Sequence, residues 1–315
     1  MRKHPQQVAD LASPRQIVTG LRCFSRAMYS SWYIYTASGI CFDAGPGIGM
    51  GIGTSNRDIR KLFISHGHYD HLGGAEELLI ARNALHGDLP KPISIFYPRG
   101  DGVVRSLRDR VEATYNLSFP IRWTEWVSGY VTQVTDKQSI RAFRADHTDW
   151  MSLGFVLQEK RSRLKPEVIG LSRRNLKKLQ ERGGDEAIRT FYEHPLIAYT
   201  GDAFRVDPRD FTKADVLIID ASFLEEKHRK IIHHFTTEEA LVVARMAKVK
   251  SVVLTHISPR YSWQKTLSTV KRLAEKMGIM FPVFVIKTSQ ATKSARIENP
   301  DDQTVILPGQ LYQVC

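Results

Sequence analysis

The sequence predicts an α/β protein with layered sheets, built as a single domain. Short apolar runs alternate with amphipathic stretches along the chain, which is typical of sheets covered by helices. No repeat of fixed period, low-complexity tract or linker interrupts the 315 residues, and 42% hydrophobic residues can bury a sizeable core. We therefore expect one domain over residues 1–287 and a polar, extended or loosely attached tail over 288–315.

The elements follow from the length and period of the apolar runs. Strands are expected where short apolar, β-branched or aromatic runs occur, at 32–36, 62–65, 93–97, 196–200, 216–220 and 252–255. Helices are expected where apolar residues recur at helical spacing, at 74–85, 102–115, 237–247 and 264–277. Gly73-Gly74 is expected to give the backbone the freedom for a tight turn into the first of these helices.

The charge is strongly positive. The net charge is +12 and the pI is about 9.6, which favours association with polyanions and makes nucleic acid the first partner to consider. Residues 160–182 hold nine basic residues against two acidic ones, Glu167 and Glu181, so more than half of the net charge lies in one stretch. A basic protein without a polyanion ligand, and a solvated helix face at 160–182, are the alternatives.

The cysteines and the apolar content bear on the compartment. Cys23, Cys41 and Cys315 are odd in number and far apart, which indicates neither a disulfide framework nor a thiolate zinc site. Residues 1–14 lack an apolar core of signal-peptide length, and nowhere do about 18 apolar residues run together. We expect a soluble cytoplasmic protein that is not secreted and does not enter a membrane.

A cluster of metal-binding side chains follows the predicted strand 62–65. Four of them lie within six residues: His66, His68, Asp70 and His71. The loop at the carboxyl end of a strand is where open α/β sheets place their chemistry. Four nitrogen and oxygen ligands in so short a run do not easily coordinate one ion, so two adjacent ions are expected. The alternative is a loop of solvated histidines.

Further ligands have to come from distant parts of the chain. Three candidates each follow an apolar run: His147, Asp202 and His256. Any one of them alone is compatible with an ordinary structural role, whereas together they would complete two coordination shells.

Several motifs resemble the signature of the metallo-β-lactamase superfamily. They are Phe42-Asp43-Ala44-Gly45, the run 66–71, His147, Thr200-Gly201-Asp202 and Thr255-His256. The segments 165–172, 198–202 and 254–261 further resemble ribonuclease Z, particularly its short plant and cyanobacterial forms, and the likeness runs from about Val18 to Met277. The resemblance implies a four-layer αββα metallo-β-lactamase sandwich, in which two mixed β-sheets are flanked by helices.

The resemblance also implies the cofactor and its ligands. It suggests two Zn²⁺ per chain, with Mn²⁺ or Fe²⁺ as alternatives. One ion would be held by His66, His68 and His147, the other by Asp70, His71 and His256, and Asp202 would bridge both. Asp43 would support the motif loop and a histidine ligand from behind; the alternative is a turn residue before Gly45.

The implied reaction is endonucleolytic removal of the 3′ trailer of precursor tRNA. Zinc can supply hydroxide from a bound water, and Asp70 is placed to accept the water's proton. Alignment with the family selects His234, rather than His233, as proton donor to the leaving oxygen. Asp220, where the family usually has Glu, would orient His234 and keep it protonated. The alternative for His234 is a helix neighbour without a chemical role.

The implied RNA contacts come from two regions. Residues 160–195 lie where ribonuclease Z carries an arm that grips tRNA, and phosphate contacts are expected from Lys160, Arg161, Arg163, Lys165, Arg173, Arg174, Lys177 and Lys178. Arg260 could clamp the scissile phosphate, or it could be an ordinary surface arginine. The family further implies a homodimer in which one subunit's arm can serve the other's site.

The sequence departs from the ribonuclease Z pattern in a few places. Gly154 stands seven positions after His147, Phe235 lies inside the histidine segment, and the glycine-proline-rich arm of the bacterial short form is missing. Two alternative functions therefore stay open. One is a nuclease, phosphodiesterase or esterase of the same fold acting on a non-tRNA or small-molecule substrate; the other is a nucleic-acid-binding scaffold without catalysis.

Overall fold

Two mixed β-sheets flanked by helices form the protein, as expected from the sequence. The computed structural model describes residues 13–85, 91–148, 150–287 and 310–314. Within these residues the strands form one sheet of six strands and one of nine. None of the helices in the described part of the chain has the length and apolar character of a membrane span.

The first sheet runs in chain order. Its strands are β1 (Leu21–Arg26), β2 (Ser30–Tyr35), β3 (Ile40–Phe42), β4 (Lys61–Phe63), β5 (Ile93–Pro98) and β6 (Ile121–Trp126). The first three strands pair antiparallel and the last four pair parallel.

The second sheet contains the remaining strands. They are β7 (Val131–Thr135), β8 (Gln138–His147), β9 (Trp150–Leu164), β10 (Arg189–Tyr199), β11 (Arg205–Val206), β12 (Val216–Asp220), β13 (Val252–Thr255), β14 (Val283–Lys287) and β15 (Gln310–Gln313). Their order is β11-β8-β9-β10-β12-β13-β14-β15, with β7 beside β8, and the pairs from β10 to β14 are parallel.

The helices lie mainly between strands. They are α1 (Pro14–Thr19), α2 (Ile48–Ile52), α3 (Tyr69–Leu72), α4 (Ala75–Leu85), α5 (Gly102–Thr114), α6 (Arg173–Ile188), α7 (Thr237–Met246) and α8 (Trp263–Lys276). Side chains cap several N-termini: Asp101 accepts from two amides of α5, and Thr236 forms a capping box with Glu239 on α7.

Three buried apolar clusters fill the interfaces between the four layers. Between the sheets, Phe42 of β3 stacks on Phe155 of β9 with ring centroids 6.0 Å apart. A second cluster joins α4 and α5 to the outer face of the first sheet, and a third joins α7 and α8 to the outer face of the second. Since each fully buried large apolar side chain contributes about 1.5–3 kcal/mol, these interfaces hold the layers together.

The predicted elements agree with the observed ones where apolar residues form a continuous run or recur at helical spacing. The runs at 216–220 and 252–255 are β12 and β13, and the four predicted helices match α4, α5, α7 and α8 to within one residue at each end. Strands such as β6 and β7 escaped prediction because they alternate exposed and partly buried residues and contain no continuous apolar run.

Six strands end at the same edge of the molecule and position the site. The candidate residues that follow or close them are Asp43 after β3, His66 after β4, His147 at the end of β8, Asp202 after β10, Asp220 at the end of β12 and His256 after β13. Strand ends are rigid supports, so the side chains that they present are held in place.

The predicted tail lies mostly outside the described residues. Its end, Gln310–Gln313, is not loose in the structure, because it pairs antiparallel with β14 at the edge of the second sheet. Tyr312 of this strand contacts the ring of Trp263 on α8. Cys23 and Cys41 are buried and form no disulfide within the described residues, and Cys315 lies beyond them.

Candidate metal centre

All seven predicted ligands converge at this edge. Beside a group formed by Asp202, Asp220, His234 and His256, two groups contain only predicted ligands and have ligand atoms within 4.8 Å of one another: His66, His68, His147 and Asp202 form one, and Asp70, His71, Asp202 and His256 form the other. Asp202 belongs to both groups. The grouping is the one that the ribonuclease Z resemblance implied from the sequence.

Asp202 lies at the centre of the two groups. Its Oδ1 is 3.2 Å from Nε2 of His71, and its Oδ2 is 3.1 Å from Nε2 of His256 and 3.9 Å from Nε2 of His66. Burial would raise the pKa of Asp202, but His256 and His71 hold it well below its usual value. The carboxylate is therefore ionised and can bridge two cations.

Asp43 organises the motif loop from behind. Nδ1 of His71 donates to Oδ2 of Asp43 at 2.6 Å, and the amide of Ser65 donates to Oδ1 at 2.6 Å. The Ser65 hydroxyl also donates to Asp43, and Nδ1 of His66 lies 3.0 Å from that hydroxyl. Because these partners hold Nδ1 of both imidazoles, Nε2 of each faces Asp202.

His147 and His256 are held in the same way. Nδ1 of His147 donates to the carbonyl of His233 at 2.8 Å. Nδ1 of His256 lies 2.7 Å from the Ser222 hydroxyl, which donates to Asp220 at 2.7 Å. Both Nε2 atoms are thereby directed at the ligand groups.

These residues fit a pair of divalent cations. Nε2 of His66 is buried and has no hydrogen-bond partner among the described residues, an arrangement that is costly unless a cation takes its lone pair. Burial lowers the pKa of His147 to about 4, so this imidazole is neutral near pH 7. Burial also lowers the pKa of His71, but Asp202 and Asp43 outweigh it and raise that pKa well above its usual value. A metal ion would have to displace the proton of His71 on binding.

Glycines let the motif loop lie against the turn after β3. A Cβ on Gly45 would overlap the carbonyl oxygen of Asp70, and one on Gly74 would overlap the carbonyl oxygen of Gly45. The chain turns from α3 into α4 at Gly73-Gly74, and neither residue has a positive φ, so the turn does not depend on left-handed backbone. The glycines are required because the two loops approach too closely for side chains.

Replacing Gly45 by Ala is expected to lower the free energy of unfolding by about 1–3 kcal/mol, because backbone has to move to admit the methyl group. Urea denaturation followed by circular dichroism measures this. The matched control is Gly102→Ala in the first turn of α5, where a Cβ meets nothing within 4 Å. Equal stability of Gly45→Ala and the control would contradict the close-packing explanation.

His234 and Asp220 form a pair beside the ligands. Nδ1 of His234 lies 2.6 Å from Oδ2 of fully buried Asp220, and its ring stacks on His256 at 5.0 Å between centroids. Burial would lower the pKa of His234, but Asp220 raises it to about 9. The imidazolium is therefore the major form near pH 7, with Nε2–H available as a donor.

Several contributors to this site were not predicted. Ser65 and Ser222 relay hydrogen bonds between carboxylates and ligand histidines, and the Tyr199 hydroxyl donates to Asp43. The Met28 amide donates to Oδ2 of Asp70 at 2.9 Å. Ser65 immediately precedes His66 and Ser222 lies two residues after Asp220, whereas nothing near Met28 signals its contact.

The predicted RNA-binding residues lie outside this cluster. Arg260 is exposed, with its guanidinium 5.4 Å from the ring of Phe223, and Phe223 in turn contacts the ring of His234. Most of the predicted arm cations are exposed, namely Lys160, Arg163, Arg173, Arg174, Lys177 and Lys178. Lys165 is half-buried, and Arg161 is only 11% exposed and contacts Glu159.

Comparisons with known proteins agree with the geometry. A family model described as "Beta-lactamase superfamily domain" matches residues 40–165. Ribonuclease Z of Bacillus velezensis (strain DSM 23117 / BGSC 10A6 / LMG 26770 / FZB42) is 31% identical over 248 residues, which cover 71% of this chain and 77% of that protein. The chloroplastic tRNase Z TRZ2 of Arabidopsis thaliana is 28% identical over 69% of this chain, and the match spans 62% of that protein's length.

A solved structure shares the fold. The short form of human tRNase Z has a TM-score of 0.55 and 22% sequence identity, and the match covers 76% of this chain and 93% of that one. The two sheets with flanking helices are the metallo-β-lactamase arrangement, and the sequence match to ribonuclease Z extends over most of the domain. The chain therefore belongs to the ribonuclease Z family, within the metallo-β-lactamase superfamily of hydrolases.

Proposed function

We propose that the chain is a zinc-dependent endoribonuclease that removes the 3′ trailer of precursor tRNA. The observation that carries this proposal is the Asp220–His234 pair beside two groups of metal-ligand side chains, since such a pair would supply a proton donor next to the bound cations. The names of the relatives, ribonuclease Z and tRNase Z, support RNA as the substrate.

The ligand set suits hydrolysis of a phosphodiester. Two bound cations would supply hydroxide at neutral pH and neutralise charge on the phosphate. Asp70 is held by the Met28 amide at Oδ2, which also lies 3.1 Å from Nε2 of His256, so its carboxylate is oriented towards the ligand groups. From this position Asp70 would accept a proton from the attacking water.

His234 would protonate the leaving oxygen. A ribose 3′ or 5′ oxygen is a poor leaving group as an alkoxide, so it needs a proton as the P–O bond breaks. Asp220 keeps His234 charged and fixes the ring through Nδ1, which leaves Nε2–H to donate. Arg260, one aromatic ring away, would bind the scissile phosphate.

The basic arm would bind the body of the tRNA. β9 and β10 extend as a hairpin that carries α6 beyond the sheet, and α6 exposes four cations in its first six residues. Such contacts grip phosphates without reading sequence. We also propose that the protein is a cytoplasmic homodimer, in which the arm of one subunit can bind RNA for the metal centre of the other.

The direct test is incubation of the purified chain with a 3′-extended precursor tRNA, with and without a chelator, followed by mapping of the product ends. We expect cleavage just after the acceptor stem that the chelator abolishes and added Zn²⁺ restores. If intact tRNA is left uncut while a small phosphodiester is hydrolysed, the chain is a hydrolase of a different substrate.

Removing two arm cations is expected to weaken RNA binding without changing the chemical step. In the double variant Arg173→Ala, Arg174→Ala, KM for precursor tRNA should rise several-fold at about 0.15 M salt, and the slope of log affinity against log salt should fall by about 1–2. Filter binding and steady-state kinetics over a salt series measure both.

The matched control removes two exposed cations from α8, Lys271→Ala and Arg272→Ala, with the same change in net charge. It should leave KM and the salt slope near those of the wild type. Equal effects of the two double variants would show that net charge, and not the arm, determines binding.

A further inference from the structure

A buried carboxylate lies where the basic arm leaves the second sheet. The last pair between β8 and β9 joins Gln138 to Glu159, and the pairing of β10 with β12 begins at Ile197. Residues 160–164 and 189–193 therefore pair only with each other among the described strands. A two-stranded ribbon of this kind is marginally stable by itself, so its direction has to be set at its base.

Asp215 contacts both strands of the arm at that base. Its side chain is 2% exposed, and Oδ2 lies 3.0 Å from Nε2 of His194 on β10 and 3.5 Å from Nη2 of Arg161 on β9. Oδ1 lies 2.6 Å from Nζ of Lys250, which stands just before β13 in the body of the domain. The Asp215 carboxylate thus connects both strands of the arm to the segment that leads into β13.

The backbone of Asp215 is fixed at the same place. Its amide donates to the carbonyl of Pro195 at 3.1 Å, and its carbonyl accepts from the Ser251 hydroxyl at 2.8 Å. Asp215 also immediately precedes β12, whose other end carries Asp220. The base of the arm and the proton-donor pair are therefore connected through one short, buried strand.

Arg161 belongs to this cluster and not to the RNA-binding surface. Its side chain is 11% exposed and is paired with Glu159 at 2.9 Å as well as with Asp215. A guanidinium already paired with two carboxylates gains little from a phosphate that it can reach only by leaving them. The phosphate contact predicted for Arg161 from the sequence is therefore replaced here by a contact within the arm's base.

We infer that Asp215 is a positioning residue that fixes the basic arm relative to the metal centre, so that one RNA molecule can engage both. The inference rests on the proposed function for its substrate. When one RNA molecule binds to both the arm and the metal centre, its overall affinity depends on the effective concentration of the second site for RNA already bound at the first. That effective concentration falls when the arm can move relative to the metal centre. Asp215 acts through Arg161 and His194, and it touches neither the RNA nor the ligand groups.

The kinetic test uses Asp215→Asn and Lys250→Met on the full chain. For precursor tRNA we expect KM to rise about ten-fold in both variants, with kcat within about two-fold of the wild type. For a stem-loop RNA too short to reach the arm, and for bis(p-nitrophenyl) phosphate, both parameters should stay at wild-type values. Lys250→Arg keeps the cation and should restore KM for precursor tRNA.

The matched control is Asp210→Asn. Asp210 also forms an ion pair, with Arg141 of β8 at 3.0 Å, and among the described residues it contacts no part of the arm. It should leave KM for precursor tRNA unchanged. If Asp215→Asn lowers kcat on all three substrates alike, or leaves KM for precursor tRNA unchanged, the positioning role is wrong.

A physical readout separates this inference from the proposed function. Spin labels at Asn175→Cys on α6 and Ser268→Cys on α8, with Cys315→Ser, report the distance from arm to body in the absence of RNA. We expect a broader distance distribution in Asp215→Asn and an unchanged one in Asp210→Asn. An unchanged distribution in Asp215→Asn would overturn the inference even if the chain cleaves tRNA, and a broadened one would support it even if the substrate is another RNA.

Discussion

Replacing Asp202 by Ala is expected to abolish hydrolysis of every substrate and to reduce bound metal to less than one ion per chain. Asp202 is the residue that both ligand groups share, and its charge is the one that lies between the imidazoles of His71 and His256. Without it, each group loses a ligand and the two cations lose the anion that offsets their repulsion. Loss of several kcal/mol of charge stabilisation in the transition state corresponds to a decrease in kcat/KM of at least about a thousand-fold.

Plasma emission on dialysed protein measures the metal, and hydrolysis of bis(p-nitrophenyl) phosphate measures the activity without RNA binding. Asp207→Ala serves as control, because Asp207 is five residues along the chain and pairs only with exposed Arg209 among the described residues. Wild-type metal content in Asp202→Ala would contradict the role of Asp202 as a ligand shared by both groups.

Replacing His234 by Ala is expected to lower kcat on precursor tRNA by about 10²–10⁴-fold, the usual range for loss of a general acid. The effect should depend on the leaving group. Because p-nitrophenolate leaves without protonation, kcat for bis(p-nitrophenyl) phosphate should fall by less than about ten-fold. Bound metal should stay at the wild-type level, since seven ligand side chains remain in place.

His233→Ala is the matched control for this variant. His233 contacts His147 through its backbone carbonyl, which the substitution retains, and its ring lies 6.5 Å from the ring of His147. Activity near wild type is expected on both substrates. Equal losses on tRNA and on the activated phosphodiester in His234→Ala would instead assign His234 to the ligand shell.

Much of the site could be predicted because strand ends and side-chain types are local properties. His66, His68, Asp70 and His71 stand together in the sequence after an apolar run, so their convergence is unavoidable. His147, Asp202 and His256 required a further step: each follows an apolar run, as other polar residues do, and the family resemblance then supported their selection. The structure brings all seven within two overlapping groups.

Other contacts join residues far apart in sequence, and no local pattern signals them. The Met28 amide meets Asp70 across 42 positions, and Tyr199 meets Asp43 across 156. Arg161 looked like one more cation of a basic stretch, but it pairs with Glu159 of its own strand and with Asp215, which lies just before β12. The role of Gly74 likewise depends on Gly45, a neighbour only in space.

By itself the sequence determined the alternation of strands and helices, the density of metal-type ligands after β4 and the concentration of positive charge in the arm. Periodicity and composition act over a few residues, and the chain carries them wherever it folds. Only the tertiary structure decided which nitrogen of each histidine faces the metal groups, which cations are free to meet a phosphate and which carboxylate holds the arm. Those properties depend on burial and on hydrogen-bond partners from distant strands, and they exist only once the two sheets have packed together.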